Sequence, residues 1–327
     1  MCIRDSYNFT FRDVTKFLKD KLTVDLSASY ILQDNKNMIA AGKYFNPLPA
    51  LYLFPRGDDF DNVRLYQRWD ESRNLYTQAW DYGSGDMSFQ NPYWIMNKMI
   101  NQTKKRRYML SANLKYDVTD WLDVTGRVKV DNADMDITEK RYAGTDTNFA
   151  GEKGMYSIIK RNDRQIYADA IANIDLTFAG DYHLSANVGA SLKDVRMDFM
   201  GWGGDLRKIP NFFSITNIST TNYKEREDGS HIQSQSIFAN VELAWKSMLY
   251  LTVTGRNDWE SALAFSKYKS FFYPSVGLSA VVSEMVDMPE WFSFLKVRGS
   301  YSAVGSSYAA YLTKPYYCLL YTSPSPT

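Results

Sequence analysis

Residues able to do chemistry are few in this chain, and their spacing argues against catalysis. There are two histidines, His183 and His231, far apart and without the spacing of metal ligands. They read as ordinary polar-side residues, one at a strand start and one in a loop. Asp131-Asn132-Ala133-Asp134-Met135-Asp136 and Asp58-Asp59-Phe60-Asp61 could gather oxygens around a calcium ion. Neither has the full pattern of a calcium loop, so both read as solvated loop acids. Arg56-Gly57-Asp58 spells an adhesion tripeptide by chance, and Gly201-Trp202-Gly203-Gly204 reads as a turn, because no lysine follows it to make a phosphate loop. No pair of carboxylates stands out for glycoside chemistry. The expectation is a protein that is not an enzyme and that uses no cofactor and no metal.

Aromatic and basic residues are more informative. The chain has 327 residues with 24 Tyr, 18 Phe and 8 Trp, a content that suits membrane-interface girdles, sugar-facing loops and plain strand propensity alike. One stretch, 66–94, gathers Trp69, Tyr76, Trp80, Tyr82, Tyr93 and Trp94, and these six are the candidate substrate-binding residues, since flat rings suit sugars. The run Lys104-Lys105-Arg106-Arg107 precedes an expected strand and could meet anionic lipopolysaccharide at an outer leaflet. A formal net charge of +1 gives no basic excess for nucleic acid, which is excluded as a partner.

The elements that must position these residues are strands. In 22–30, Leu22, Val24, Leu26, Ala28 and Tyr30 alternate with Thr23, Asp25, Ser27 and Ser29. Successive strand side chains point to opposite faces, so one side is apolar and the other wet. The same alternation predicts strand pairs 108–118 with 122–130, 168–178 with 184–192, 237–245 with 249–257, and 276–282 with 295–303. Residues 7–15 with 22–32 make a first pair, for about ten strands. Connections within pairs are short; those between pairs run long, about 33–107, 131–165, 193–233 and 258–271. Short turns on one side and long loops on the other are the layout of an outer-membrane barrel, and several strands reach the 9–11 residues that cross a bilayer at a tilt. Trp121, Trp245 and Trp291 fall near the short-turn ends, where an aromatic belt belongs. Charges such as Asp25, Lys115, Asp123, Arg127, Lys129, Glu242 and Arg256 keep to the wet face. Face polarity alone also fits a soluble sandwich that buries its apolar side.

Three blocks then resemble a known family. Leu251-Thr-Val-Thr-Gly-Arg-Asn-Asp-Trp259, Phe271-Phe-Tyr-Pro-Ser-Val-Gly-Leu-Ser-Ala-Val-Val-Ser-Glu-Met285 and Phe294-Leu-Lys-Val-Arg-Gly-Ser-Tyr-Ser-Ala-Val-Gly305 closely resemble SusC/RagA-like TonB-linked outer-membrane proteins. Gln90-Asn-Pro-Tyr-Trp94 and Pro210-Asn-Phe-Phe-Ser214 are similar to loop motifs of that family. The resemblance implies an all-β fold, a partial transmembrane antiparallel β-barrel of about ten strands out of 22. It implies import of oligosaccharides or peptides, a SusD-like lipoprotein partner, and energy from the TonB-ExbB-ExbD complex through an N-terminal region lying outside this chain. Residues 7–317 are expected to be the partial receptor barrel domain in a Gram-negative outer membrane, in contact with its lipid. Residues 1–6 and 318–327, which hold both cysteines (Cys2 and Cys318), resemble sequencing-adaptor read-through and are expected to stay out of the sheet. Two competing readings are a surface-binding or assembly barrel without transport, and a soluble carbohydrate-active β-sandwich.

Overall fold

In the computed structural model, residues 3–38, 42–82, 89–221, 224–286, 288–289 and 291–313 are described. Ten strands form one antiparallel sheet: β1 (Ile3–Phe17), β2 (Leu22–Lys36), β5 (Met99–Thr119), β6 (Leu122–Tyr142), β7 (Gly154–Phe178), β8 (Tyr182–Asp205), β9 (Lys224–Trp245), β10 (Leu249–Glu260), β11 (Ser270–Val281) and β12 (Lys296–Ser302). Each pairs with its sequence neighbour, the long β2–β5 connection included. That connection carries the helices α1 (Pro47–Tyr52), α2 (Asp61–Arg64) and α3 (Pro92–Lys98) and the small hairpin β3 (Gln67–Asp70) with β4 (Leu75–Gln78). β1 and β12 each keep one unpaired edge, so the sheet does not close.

The sheet is a single layer. The chain exposes 22234 Å² of surface. A compact soluble protein of this mass exposes only about 14,000 Å². A sandwich would have hidden its apolar face within the chain; here Leu110, Leu114, Val128, Leu192, Leu251, Val253 and Leu278 are all exposed. The opposite, polar face is the more covered one, as expected for the inside of a curved wall, where side chains converge.

The apolar face is bounded by a slanted line. The last apolar residue before polar side chains take over is Leu32 on β2, Tyr108 on β5, Val130 on β6, Ile166 on β7, Leu192 on β8 and Ile237 on β9. Leu32 faces Arg106, Tyr108 faces Asn132, Val130 faces Ile166, Ile166 faces Asp194 and Leu192 faces Gln235. The boundary therefore drops four two-residue rungs across five strand spacings. That is about 27 Å along the strands for about 24 Å across them, a slant of about 45–50°. Strands of outer-membrane barrels tilt by about 35–45° from the membrane normal. Along the strand, the band covers residues 22–32, 108–118 and 182–192, each running from a short turn to the line. Eleven residues at that tilt rise about 24 Å, close to the roughly 25 Å of apolar band that a bilayer requires. Phe9, Tyr30 and Tyr108 share one rung at the upper line, and Tyr116, Trp121, Phe178 and Tyr182 lie at the turn end. Both places are where amphipathic rings meet headgroups.

Three sequence expectations need correction. The strands run far past the band, so the long links shrink to residues 37–98, 143–153, 206–223 and 261–269. Above the band both faces are polar and the period-two signal disappears, although the backbone ladder continues. Lys104–Arg107 and 131–136 therefore lie inside β5 and β6, His231 lies inside β9, and Gly201–Gly204 is paired strand in β8 rather than a turn. The inter-strand link 37–98 carries three short helices and a hairpin. Finally, Ile3, Arg4, Asp5 and Ser6 pair with Lys36, Asn35, Asp34 and Gln33, because an open strand edge accepts any extended backbone whatever its side chains. Residues 318–327 lie outside the described residues.

Candidate functional site

Within the band, the polar face carries charges that largely satisfy one another. Arg127 and Asp169 are direct cross-strand partners. The guanidinium donates from Nε at 2.8 Å and from Nη2 at 2.6 Å to the two carboxylate oxygens, and the Tyr167 hydroxyl donates to Asp169 at 2.8 Å. The Asp169 side chain has no solvent exposure. Arg12 and Asp25 form a second two-pronged pair, at 3.0 and 2.8 Å, and Arg107 with Asp131 a third. Such forks fix side-chain geometry and leave little charge for a ligand.

Above the band, the β2–β5 connection folds back over the top of the sheet. Two Asn-Pro steps set its helices. The Asn46 side chain accepts from the Leu48 N–H at 3.0 Å and Asn91 from the Tyr93 N–H at 2.8 Å, each with proline at the first helical position. Asn91 also donates to the carbonyls of Val63 (2.8 Å) and Ala79 (3.1 Å), tying α2, the hairpin and α3 together. Trp94 is fully buried with Ile95 and Met99, packs against Tyr66 and Tyr142, and donates from Nε1 to Thr145 at 3.0 Å. The Pro210–Ser214 segment reaches the same tyrosine: the Phe213 ring lies 4.9 Å from that of Tyr142, and the Asn211 side chain accepts from the Ala143 N–H at 2.7 Å. Both loop motifs singled out from sequence are thus folding devices meeting at Tyr142.

Two chambers open at this mouth and share Glu139 and Arg141 as a common wall. The larger, of about 700 Å³, is lined by Asn148, Phe149, Ser157, Gly203, Asp205 and Arg226 among others. The smaller, of about 370 Å³, is apolar, with Phe45, Leu48, Leu51, Ile95 and Met99 in its lining. Arg141 is held by donation to the Phe149 carbonyl (2.7 Å) and to Glu139 (3.3 Å), with its guanidinium 4.6 Å from the Phe45 ring centre. Burial pulls its pKa down, against the opposing charges of Glu139 and Asp205. Gly203 keeps the floor open: a Cβ there would come within 2.8 Å of the Ser157 hydroxyl. Polar and apolar space separated by one ion pair can hold an amphipathic ligand. Among the described residues, no group of three or more His, Cys, Asp or Glu is placed to hold a metal; Asp131 points to the polar face whereas Asp134 and Asp136 point to the other.

The six candidate aromatics do not converge on these chambers. Trp69 and Tyr76 face each other across the β3–β4 hairpin, edge to face at 5.1 Å, and both are about half exposed (49% and 51%). Trp80 and Tyr82 pair at 5.1 Å, and Tyr82 meets Phe54 at 5.0 Å. Tyr93 starts α3, its N–H and carbonyl engaged by Asn91 and Asn97. Trp94 has no exposed surface to offer. Sequence reasoning missed Glu139, Arg141 and Arg226. Continuing the alternation of β6 beyond Val130 would have put Glu139 and Arg141 on the polar face.

Residues 49–315 match the family described as TonB dependent receptor-like, beta-barrel. The chain is 23% identical over 299 residues to TonB-dependent receptor P26 of Formosa agariphila, covering 88% of this chain and 28% of that protein. The structure of the RagAB peptide transporter superposes with a TM-score of 0.69 at 14% identity, over 92% of this chain and 33% of that one. The "closed-closed" state of the RagAB peptide importer gives 0.67 at 15% identity over 92% and 33%. The chain therefore spans about a third or less of the length of these relatives, and the structural likeness is one of fold.

Proposed function

We propose an import function from a plain premise: the chain belongs to the TonB dependent receptor-like β-barrel family. As part of a longer barrel, it supplies wall and mouth to an outer-membrane importer of large nutrients, oligosaccharides or peptides, driven by TonB-ExbB-ExbD. The observation that carries this reading is the pair of chambers joined at Glu139–Arg141, above a polar face whose charges are largely paired. A ligand can be held at the mouth and meets few free charges on the way in. Of the two ligand classes, mixed charge beside apolar space favours peptides, which carry both along one chain. A lipoprotein lid of the SusD-like kind fits the exposed apolar tops Tyr52, Leu53, Leu65, Trp69 and Tyr76, which a soluble surface would not leave bare.

The test uses the intact parent protein in its own host, grown on a tryptic casein digest or on a starch hydrolysate as the limiting nutrient. Arg141→Gln should slow growth on the nutrient that this barrel imports, with assembled barrel unchanged in the outer membrane. Unchanged growth on both, with deletion of the parent gene slowing one of them, would remove the chambers from the import path. The Trp69→Ala/Tyr76→Ala variant should instead reduce co-purification of a lipoprotein partner.

A further inference from the structure

We propose that the apolar face just above its upper boundary, across β5–β9, binds the phosphate groups of a phosphorylated glycolipid of the outer leaflet. The proposal rests on that face being lipid-facing and is independent of import.

Register puts residues from five strands into a belt directly above the apolar band. The first rung holds Tyr108, Asn132, Arg164, Arg196 and His231, with Arg164 and Arg196 directly opposite one another. Two rungs further up are Lys104, Asp136 and Lys160. The intervening rung brings Arg106, Asp134, Asn162 and Asp198, and then Gly229, which has no side chain to fill the space. A cavity of about 470 Å³ opens here, with Arg106, Lys160, Asn162, Arg196 and Met200 in its lining.

Counting charges alone, the belt looks mixed; its hydrogen bonds separate it. Every carboxylate nearby except Glu227, which stands beyond Met200 on the Lys160 rung, is already engaged. Asp134 accepts from Asn162 at 2.7 Å and Asn132 at 3.3 Å, Asp136 from Arg106 at 3.1 Å, and Asp198 from Arg196 at 2.8 Å. Asp194 accepts from Gln233 at 2.7 Å and lies 2.8 Å from His231 Nε2. Among the described residues, Lys104, Lys160 and Arg164 form no ion pair within 4 Å, and all three are exposed. Like charges directly opposite on neighbouring strands repel. Arg164 and Arg196 hold that unfavourable arrangement, and an anion between them would turn it into two charge-assisted contacts.

Height selects the source of the anion. Arg164 stands one rung above Ile166, the last apolar residue of β7. At the strand tilt above, that is about 5 Å over the acyl region. A phosphate fixed to acyl chains sits at that level, whereas free phosphate would gain nothing from the Ile166, Leu192 and Val130 surface below.

The experiment takes the intact parent barrel in detergent and titrates it with bisphosphorylated lipid A, with fully dephosphorylated lipid A, and with inorganic phosphate, read by native mass spectrometry. The phosphorylated lipid should bind, and the dephosphorylated one about tenfold or more weakly, as expected for losing charge-assisted hydrogen bonds. Arg164→Gln with Arg196→Gln should erase that difference, while Arg161→Gln on the opposite face of β7 should preserve it. Should the double variant not reach the heat-modifiable, assembled state, Lys104→Gln with Lys160→Gln carries the same expectation. Equal binding of the two lipids by the unaltered protein would overturn the proposal. So would inorganic phosphate displacing the lipid at equal concentration. A barrel that assembles and supports growth yet ignores lipid phosphate would sink this site while leaving the import reading intact.

Discussion

Arg127 and Asp169 show how a charged residue can serve the wall without serving a ligand. Asp169 has no exposed side-chain surface, and both of its oxygens are taken by the guanidinium, one also by Tyr167. Removing Arg127 alone strands a buried carboxylate, which costs about 3–5 kcal/mol where such a pair is fully buried. Arg127 is itself 36% exposed, so solvent screening brings the expectation to about 2–3 kcal/mol. Arg127→Ala in the parent should lower the temperature of the heat-modifiable gel shift, and Arg127→Ala with Asp169→Ala should recover most of the loss. If the double variant is as unstable as the single one, packing rather than charge accounts for the effect. Trp94 makes the parallel case in the loop layer. Its ring is fully buried and its N–H is committed to Thr145, so Trp94→Ala should cost about 3–5 kcal/mol locally. Trp69→Ala, at a half-exposed ring, should leave the fold of the loop intact. Limited proteolysis reads the difference: the Trp94 variant should be cut within 37–98, and equal resistance of the two would count against Trp94 as the anchor.

Among the elements, strands were readable where one face is apolar and the other polar. Residues 108–118 and 122–130 alternate cleanly because each apolar position there faces outward, as the exposure of Leu110, Leu114 and Val128 records. The ladder continues to Met99 and Tyr142, but Arg106, Asp134 and Asp136 occupy the outward positions there, so no period survives to be read. Glu139 and Arg141 were lost with it, which is why the mouth chambers escaped notice. The aromatic loop was legible as composition and illegible as geometry: ring content does not reveal that Trp94 points into a core while Trp69 points out. The Asn46-Pro47 and Asn91-Pro92 steps were present as helix-start signals, yet helices of six and seven residues are too short to show a period of their own. Face assignment gives the sharpest test at this scale. Val253 points outward, between Val241 and Val276, whereas its neighbour Thr254 points to the polar side. Val253→Arg in the parent should cost about 2–4 kcal/mol near the bilayer middle and visibly reduce assembled barrel. Thr254→Arg should cost far less, as measured by outer-membrane fractionation; equal losses would reverse the lipid-facing assignment.

As a whole molecule, the chain is a wall without its enclosure. Ten strands pair in sequence order, with most contacts between neighbours, and among the described residues nothing covers the outward band or the free edges of β1 and β12. In a bilayer, lipid would cover the band, and a partner strand would cover each edge. In water, neither does. The exposed surface of 22234 Å² exceeds by more than half what a compact chain of this mass would show, and the excess includes Phe9, Phe11, Leu110, Leu192, Leu251 and Leu278. An open edge presents unpaired N–H and C=O groups to any other extended chain, so the two exposed features act together: edges template pairing and the apolar band drives association. Hairpins such as β5–β6 and β7–β8 should form locally, because each is joined by a short turn and closes little chain entropy. Expressed by itself, the 327-residue chain should therefore gain strand content yet aggregate, or require detergent, and should not elute as a discrete monomer. Size-exclusion chromatography without detergent, with circular dichroism on the same fractions, decides the matter. A sharp monomer peak with cooperative unfolding would mean that the band is buried within the chain after all, which the single-layer sheet does not permit.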